Sequence, residues 1–322
     1  MESTAHTFGA SIATSDGRIL SNNKSVYKPK AGKGIHPRES AQHHCETAHQ
    51  IIKDTLKAAN LHLENIDAVA FSQGPGLGPC LRTGATVARA LAAYREVPLI
   101  PVHHAIAHIE IAAVKTETKD PLVLLVSGGH TCITAFAGKR WRIFGETEDI
   151  TLGNLFDMFG RKANLSSPIG PIIEENAKRG ERYIELPYLV KGNDISYSGL
   201  LTSATRKLGE NNRFEDLCYS LQEAAFSMLT EATERALAFT EKKELLLTGG
   251  VAANKRLQNM LAYISKEHDA RFCVVPEEYS GDCGAQIAWT GILAYRAGLK
   301  IDIQKSYVKP RWRLDKTPIL WR

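Results

Sequence analysis

The stretch Leu122-Val123-Leu124-Leu125-Val126-Ser127-Gly128-Gly129-His130-Thr131-Cys132-Ile133-Thr134-Ala135-Phe136 reads as a strand, a tight glycine turn and a second strand, which turns again at Ala137-Gly138-Lys139. Apolar and β-branched runs on either side of paired glycines are the pattern of a β-hairpin. The chain opens in the same way, with Thr7-Phe8-Gly9-Ala10-Ser11-Ile12-Ala13-Thr14 leading through Asp16-Gly17 into Arg18-Ile19-Leu20. One hairpin at the head of each half predicts duplicated domains meeting near residue 118, with the polar run Lys115-Thr116-Glu117-Thr118-Lys119-Asp120-Pro121 as their joint. The first domain is expected at 1–118, joined by the C-terminal segment 298–322, and the second at 119–297.

After each hairpin, strands alternate with helices. Helices are predicted over 40–59 and 83–94, with strands over 66–71 and 99–102. Further on, a long helix spans 214–240, with Leu217, Leu221, Ala225, Met228, Ala232 and Ala236 on one stripe. A strand at 244–247, a helix at 254–267, a strand at 272–276 and a closing helix at 283–297, expected to return toward the first domain, complete an α/β fold with mixed sheets.

A chain of 322 residues, 43% hydrophobic and 23% charged, is large enough for two cores and has an ordinary globular balance. The opening Met1-Glu2-Ser3-Thr4-Ala5-His6 has no basic stretch and no apolar core, so no secretory signal is read, and no apolar run reaches a membrane span. Six scattered cysteines without a CxxC pair point to a reducing, cytoplasmic setting. The net charge of +5 is mild, but Lys24, Lys28, Lys30, Lys33 and Arg38 follow one another with no acid between them. Near the end, Lys305, Lys309, Arg311, Arg313, Lys316 and Arg322 face Asp315 alone and are interleaved with Tyr307, Trp312 and Trp321. Such runs are either solvated loops or RNA contacts, where cations attract phosphate and aromatic rings stack on bases.

Within Val102-His103-His104-Ala105-Ile106-Ala107-His108, His104 and His108 share one helical face and can grip one metal, or be satisfied by backbone and water. Ala105 stands where an HExxH peptidase needs its glutamate, which disfavours peptidase chemistry. Asp282, at the entrance of the last helix, offers a third ligand or a helix cap. Ser127, Gly128 and Gly129 can cradle a phosphate with backbone N–H groups. In Gly249-Gly250-Val251-Ala252-Ala253-Asn254, paired glycines admit a flat nucleoside, with Asn254 able to bond base or phosphate. Asp157 and Glu174, beyond short turns opened by Gly153 and Gly170, suit a ribose diol or a helix end. Gly74-Pro75-Gly76-Leu77-Gly78-Pro79 lacks dinucleotide-loop spacing and reads as a rigid loop beside the cleft.

Together with Thr4-Ala5-His6-Thr7-Phe8-Gly9, Gly34-Ile35-His36-Pro37-Arg38-Glu39 and Ser196-Tyr197-Ser198-Gly199-Leu200, these motifs span almost the whole chain. In that order they resemble the tRNA N6-threonylcarbamoyladenosine transferases, in particular the archaeal and eukaryotic branch that works inside the KEOPS complex. The resemblance implies two duplicated actin/Hsp70/sugar-kinase-like domains with nucleotide and metal in the cleft between them. It implies a divalent metal, iron ahead of zinc, on His104, His108 and Asp282, and ATP or threonylcarbamoyl-AMP against Ser127, Gly128, Gly129, Asp157, Gly170, Glu174, Gly249, Gly250 and Asn254. The implied partners are tRNA, a small kinase-like subunit, a dimerising subunit and an accessory subunit, with no membrane. Archaeal relatives often carry a tyrosine ligand where this chain has Leu125, which implies an extra water on the metal.

The implied reaction moves the threonylcarbamoyl group to N6 of the adenosine following the anticodon, in tRNAs reading codons that start with A. The carbamoyl carbon is already activated by phosphate, so no covalent nucleophile is expected, and His36 is a candidate proton shuttle. Two alternatives share the fold: an ATP-dependent phosphotransferase of the sugar or acetate kinase type, and a non-catalytic actin-like ATP-binding scaffold. Neither needs the histidine pair.

Overall fold

A computed structural model describes residues 1–30 and 32–322. Strands β1 (Thr7–Ala13) and β2 (Ile19–Val26) form the expected antiparallel hairpin. Helix α1 (Pro37–Ala58) follows, with proline in its first turn, where a missing N–H costs nothing. Then come β3 (Val69–Gly74), α2 (Gly78–Arg95), β4 (Leu99–His103) and α3 (His104–Thr116), with β3 and β4 parallel. The two strand pairs are joined through Met1–Ser3. Met1 N donates to Ala70 O (2.7 Å), Ser72 N donates to Met1 O (3.1 Å), and Glu2 and Gly9 exchange backbone bonds of 2.8 and 2.9 Å. Gly78 and Pro79, expected in a loop, open α2 instead, because proline is at home in a first helical turn.

The second hairpin is β5 (Leu122–Val126) with β6 (Thr131–Ala137), extended by β7 (Arg140–Glu146). After it come α4 (Leu152–Lys162), α5 (Ile169–Ala177), a small hairpin of β8 (Val190–Lys191) and β9 (Asp194–Ile195), and α6 (Ser198–Leu208). The chain closes with α7 (Phe214–Thr240), β10 (Glu244–Thr248), α8 (Lys255–Glu267), β11 (Arg271–Val274), α9 (Glu277–Ser280) and α10 (Gly284–Arg296). The five-stranded sheet runs β11-β10-β5-β6-β7, parallel on the β11-β10-β5 side and antiparallel on the other. All five residues of β5 are buried, with α3 and α7 both packed on the strand, which is why it reads as an unbroken apolar run. The α7 stripe from Leu217 to Ala236 is wholly buried.

Helix α10 packs on β1, β3, β4 and α3. A Cβ on Gly284 would stand 2.4 Å from the Ala10 backbone, so the helix start lies directly on β1. The segment after α10 bonds first to Leu99 and Gln73 on the β3–β4 pair and later, through Ile319 N, to Lys139 O in the turn between β6 and β7. All six cysteines are free, with Cys80, Cys132, Cys218 and Cys283 buried.

Candidate active site

The ligand helix starts where β4 ends. His103 occupies the N-cap of α3, its Nδ1 accepting the Ile106 N–H at 3.4 Å, and this directs His104 and His108 along one face, ring centres 4.7 Å apart. From the far end of the chain, Asp282 brings Oδ1 to 3.5 Å from His104 Nε2 and 3.2 Å from His108 Nε2. The three ligand atoms lie within 4.8 Å of one another. Asp282 is not a cap, since Cys283 holds that position on α10 with no side-chain bond.

Sequence reasoning missed Glu2. Its carboxylate is fully buried and accepts hydrogen bonds from Thr4 N (2.6 Å), Thr4 Oγ1 (2.5 Å) and His104 Nδ1–H (3.0 Å). That bond fixes the ring with Nε2 turned toward Asp282, the kind of arrangement that orients metal-binding imidazoles. Burial works to lower the His104 pKa, but Glu2 and Asp282 on either side override it and hold it at about 9. His108 is lowered, by burial first, and Asp282 is held far below the carboxylate range by His104 and His108 against its own burial. The field at the centre therefore favours a cation. Two imidazole nitrogens and a carboxylate oxygen converging in that field fit a divalent metal of the iron or zinc type.

His104 and Asp282 open onto a cleft of about 780 Å³ that also touches Ser127, Gly128, Gly129, Asp157, Gly170, Glu174, Gly250 and Asn254, while His108 and Gly249 lie behind its wall. Gly128, Gly129, Gly170 and Gly250 have nothing within 4 Å of where a Cβ would stand, so their backbones face open space. The Ser127 hydroxyl accepts the Gly129 and His130 N–H groups at 3.1 and 3.0 Å, so the turn is partly satisfied by its own side chain. Gly249 makes the second glycine turn possible: its φ is +99°, and a Cβ there would sit 2.2 Å from Val126 O.

Gly153 and Gly170 do not initiate turns; they lie in the first turns of α4 and α5, which carry Asp157 and Glu174. A Cβ on Gly153 would be 2.7 Å from Ser127 O, so this glycine lets α4 start against the Ser127 turn. Burial raises the Asp157 pKa. Glu174 Oε1 accepts Lys255 N at 3.0 Å. Asn254 caps α8, accepting Arg256 N and Leu257 N, while its amide donates to Gln222 at 2.9 Å, so its polar atoms are already engaged.

His6 and His130 line the cleft unforeseen, each with a buried, unpartnered Nδ1. Burial, then the charges of His104 and His108, bring His130 down to about 3. His36 is exposed and not among the lining residues. Leu125 is buried in β5, paired with Cys132 and Thr248, and offers no ligand atom.

The sequence profile of the family described as TsaD, tRNA N6-adenosine threonylcarbamoyltransferase, matches residues 18–289. The chain belongs to this family. A transferase of that name from Caldivirga maquilingensis is 52% identical over 321 residues, covering 100% of this chain and 97% of the relative. A Methanocaldococcus jannaschii protein named probable bifunctional tRNA threonylcarbamoyladenosine biosynthesis protein is 50% identical over 321 residues, the match covering 59% of its length. Among solved structures, HypF from T. kodakarensis shares the fold at a TM-score of 0.61 and 14% identity, over 78% of this chain and 43% of that one. The transferase thus acts in tRNA threonylcarbamoyladenosine biosynthesis. Among its described residues, no helix is long and apolar enough to cross a membrane.

Proposed function

We propose that the cleft transfers the threonylcarbamoyl group from threonylcarbamoyl-AMP to N6 of the adenosine 3′ of the anticodon, in tRNAs reading A-starting codons, and releases AMP. The observation that carries this reading is that His104 and Asp282, with His108 converging on them from behind, line one cleft with four glycines whose backbones face open space. A divalent metal held by these three side chains, iron ahead of zinc, would supply Lewis acidity at the carbamoyl oxygens. Glu2 orients His104 by holding its Nδ1 proton. The phosphate lies against the Gly128 backbone, the ribose hydroxyls reach Asp157 and Glu174, and the base lies flat over Gly250, whose turn Gly249 makes possible. Ordering the donor next to a looped-out adenosine does most of the work, because the carbamoyl carbon is already activated. The N6–C bond forms, the C–O bond to phosphate breaks, AMP leaves with the electron pair, and the N6 proton passes to the departing phosphate or solvent.

The bifunctional relative supports action beside a second protein module, here the small kinase-like subunit of a KEOPS-type complex with its dimerising and accessory subunits, in the cytoplasm. The kinase and scaffold alternatives give the two histidines no task. Transfer of labelled threonine into tRNA, with the synthase and accessory subunits supplied, tests the reading. Wild type should label tRNA and a His104→Ala, His108→Ala double variant should not; absence of label with wild type would sink it.

A further inference from the structure

The segment 305–313 reaches the cleft at Pro310 on a fixed backbone. Ser306 is fully buried and bonded to Arg89 Nε (2.7 Å), Gln73 Nε2 donates to Tyr307 O (2.8 Å), and Lys309 N donates to Gln73 O (2.8 Å). Gly76 N bonds Pro310 O at 3.2 Å, and His103 Nε2 lies 3.1 Å from Trp312 O, one residue from the first metal-site histidine. Pro310 itself lines the cleft. The backbone is thus pinned at several points, while the side chains of Tyr307, Lys309 and Arg311 stand in solvent, Tyr307 at 73% exposure.

Their chemistry is that of a single-strand binder. The Lys309 ammonium sits 4.3 Å over the Trp312 ring, and neither Lys309 nor Arg311 has a carboxylate partner among the described residues. Arg82 joins them: its guanidinium and the Pro310 ring both come within 4 Å of where a Cβ on Gly78 would stand. An exposed tyrosine followed by two unneutralised cations suits a base stacked on a ring with its phosphates held beside it. Acidic peptides would not use the tyrosine, and membranes would want an apolar face that this segment lacks.

The geometry points to Tyr307, Lys309, Arg311 and Arg82 as the docking rim for the single-stranded loop of the tRNA, holding it while its adenosine enters the cleft. This rests on the transfer reading above, and deepens it by naming the surface. The test uses the protein with its synthase and accessory subunits, wild type against Lys309→Ala/Arg311→Ala, Tyr307→Leu and Tyr307→Phe. The probes are a labelled anticodon stem-loop RNA titrated at several salt concentrations, and full tRNA in the transfer assay.

Removing two phosphate contacts should weaken stem-loop binding tenfold or more and flatten the slope of log affinity against log salt by about 1.4. Tyr307→Leu should weaken binding by about tenfold, with Tyr307→Phe close to wild type. In the transfer assay the KM for tRNA should rise while kcat stays near wild type. Unchanged affinity and slope with normal transfer would overturn the rim and leave the transfer reading standing, whereas no transfer by wild type would remove that reading. Equal competition by polyglutamate would also overturn the proposal, since a surface indifferent to bases is no RNA site. A Lys53→Ala/Lys57→Ala variant on α1, outside the cleft lining, should change nothing.

Discussion

Replacing Glu2 by glutamine keeps the size of the side chain and removes its charge. Glu2 is fully buried 3.0 Å from His104 Nδ1, where a charge-assisted hydrogen bond contributes about 1.5–3 kcal/mol. Glutamine can still accept from the imidazole, but neutrally, so roughly half of that should be lost. The loss should appear in metal affinity rather than in fold, because the carboxylate raises the basicity of His104 and sets its tautomer. Partners of this kind are typically worth about 10–100-fold in metal binding. Competition of purified protein with a chelator, for Fe(II) under anaerobic conditions and for Zn(II), measures it directly. A Glu2→Gln protein with a wild-type melting profile and metal affinity within twofold of wild type would refute the reasoning. Loss of affinity together with loss of fold would be settled by Thr4→Val, which removes only the hydroxyl bond to Glu2 and should cost far less.

Gly249→Ala should destabilise the protein by about 2–4 kcal/mol in denaturant unfolding, since it combines positive φ with a Cβ 2.2 Å from Val126 O; a loss under about 1 kcal/mol would mean the backbone there shifts freely. Asp149 accepts from Ser196 Oγ (2.7 Å), Tyr197 N (2.9 Å) and Ser198 N (3.1 Å), tying the start of α6 to the loop after β7. Asp149→Asn should cost about 1–2 kcal/mol at neutral pH. Although burial opposes it, the hydroxyl and amide donors hold this carboxyl well below its ordinary value of 3.8, so its contribution is complete above about pH 5 and is lost as pH falls from there through the depressed value. Unfolding curves of the two proteins should therefore converge in strong acid, and a gap that persisted there would count against the assignment.

Elements whose pattern is local were legible. The stripe of α7 repeats every three to four residues along one helix, and both hairpins carry their glycines where the chain must reverse. His104 and His108 were readable for the same reason, being one helical turn apart. What could not be read depends on contacts between distant segments. Glu2 lies 102 residues from His104, and no spacing rule connects them. Gly153 and Gly170 looked like turn residues because glycine breaks helices by propensity, but Gly153 is required where α4 begins against the Ser127 turn, a tertiary demand that overrides the local one. Asn254 was assigned to the nucleotide because its residue type suits hydrogen bonding, and the capping bonds that occupy it became visible only once α8 was placed.

The donors of the candidate metal site are also widely separated in time. Asp282 follows His108 by 174 residues, so a ribosome must finish most of the chain before the third ligand exists. Two histidines on a lone helix hold a divalent ion weakly, and a growing chain therefore offers the cell's metal pool little to seize. If the site holds a metal as proposed, selection of the ion would be deferred until the five-stranded sheet has formed and α10 has docked on β1. On the proposed reading, the metal would then be chosen by a finished scaffold whose buried charges were set beforehand.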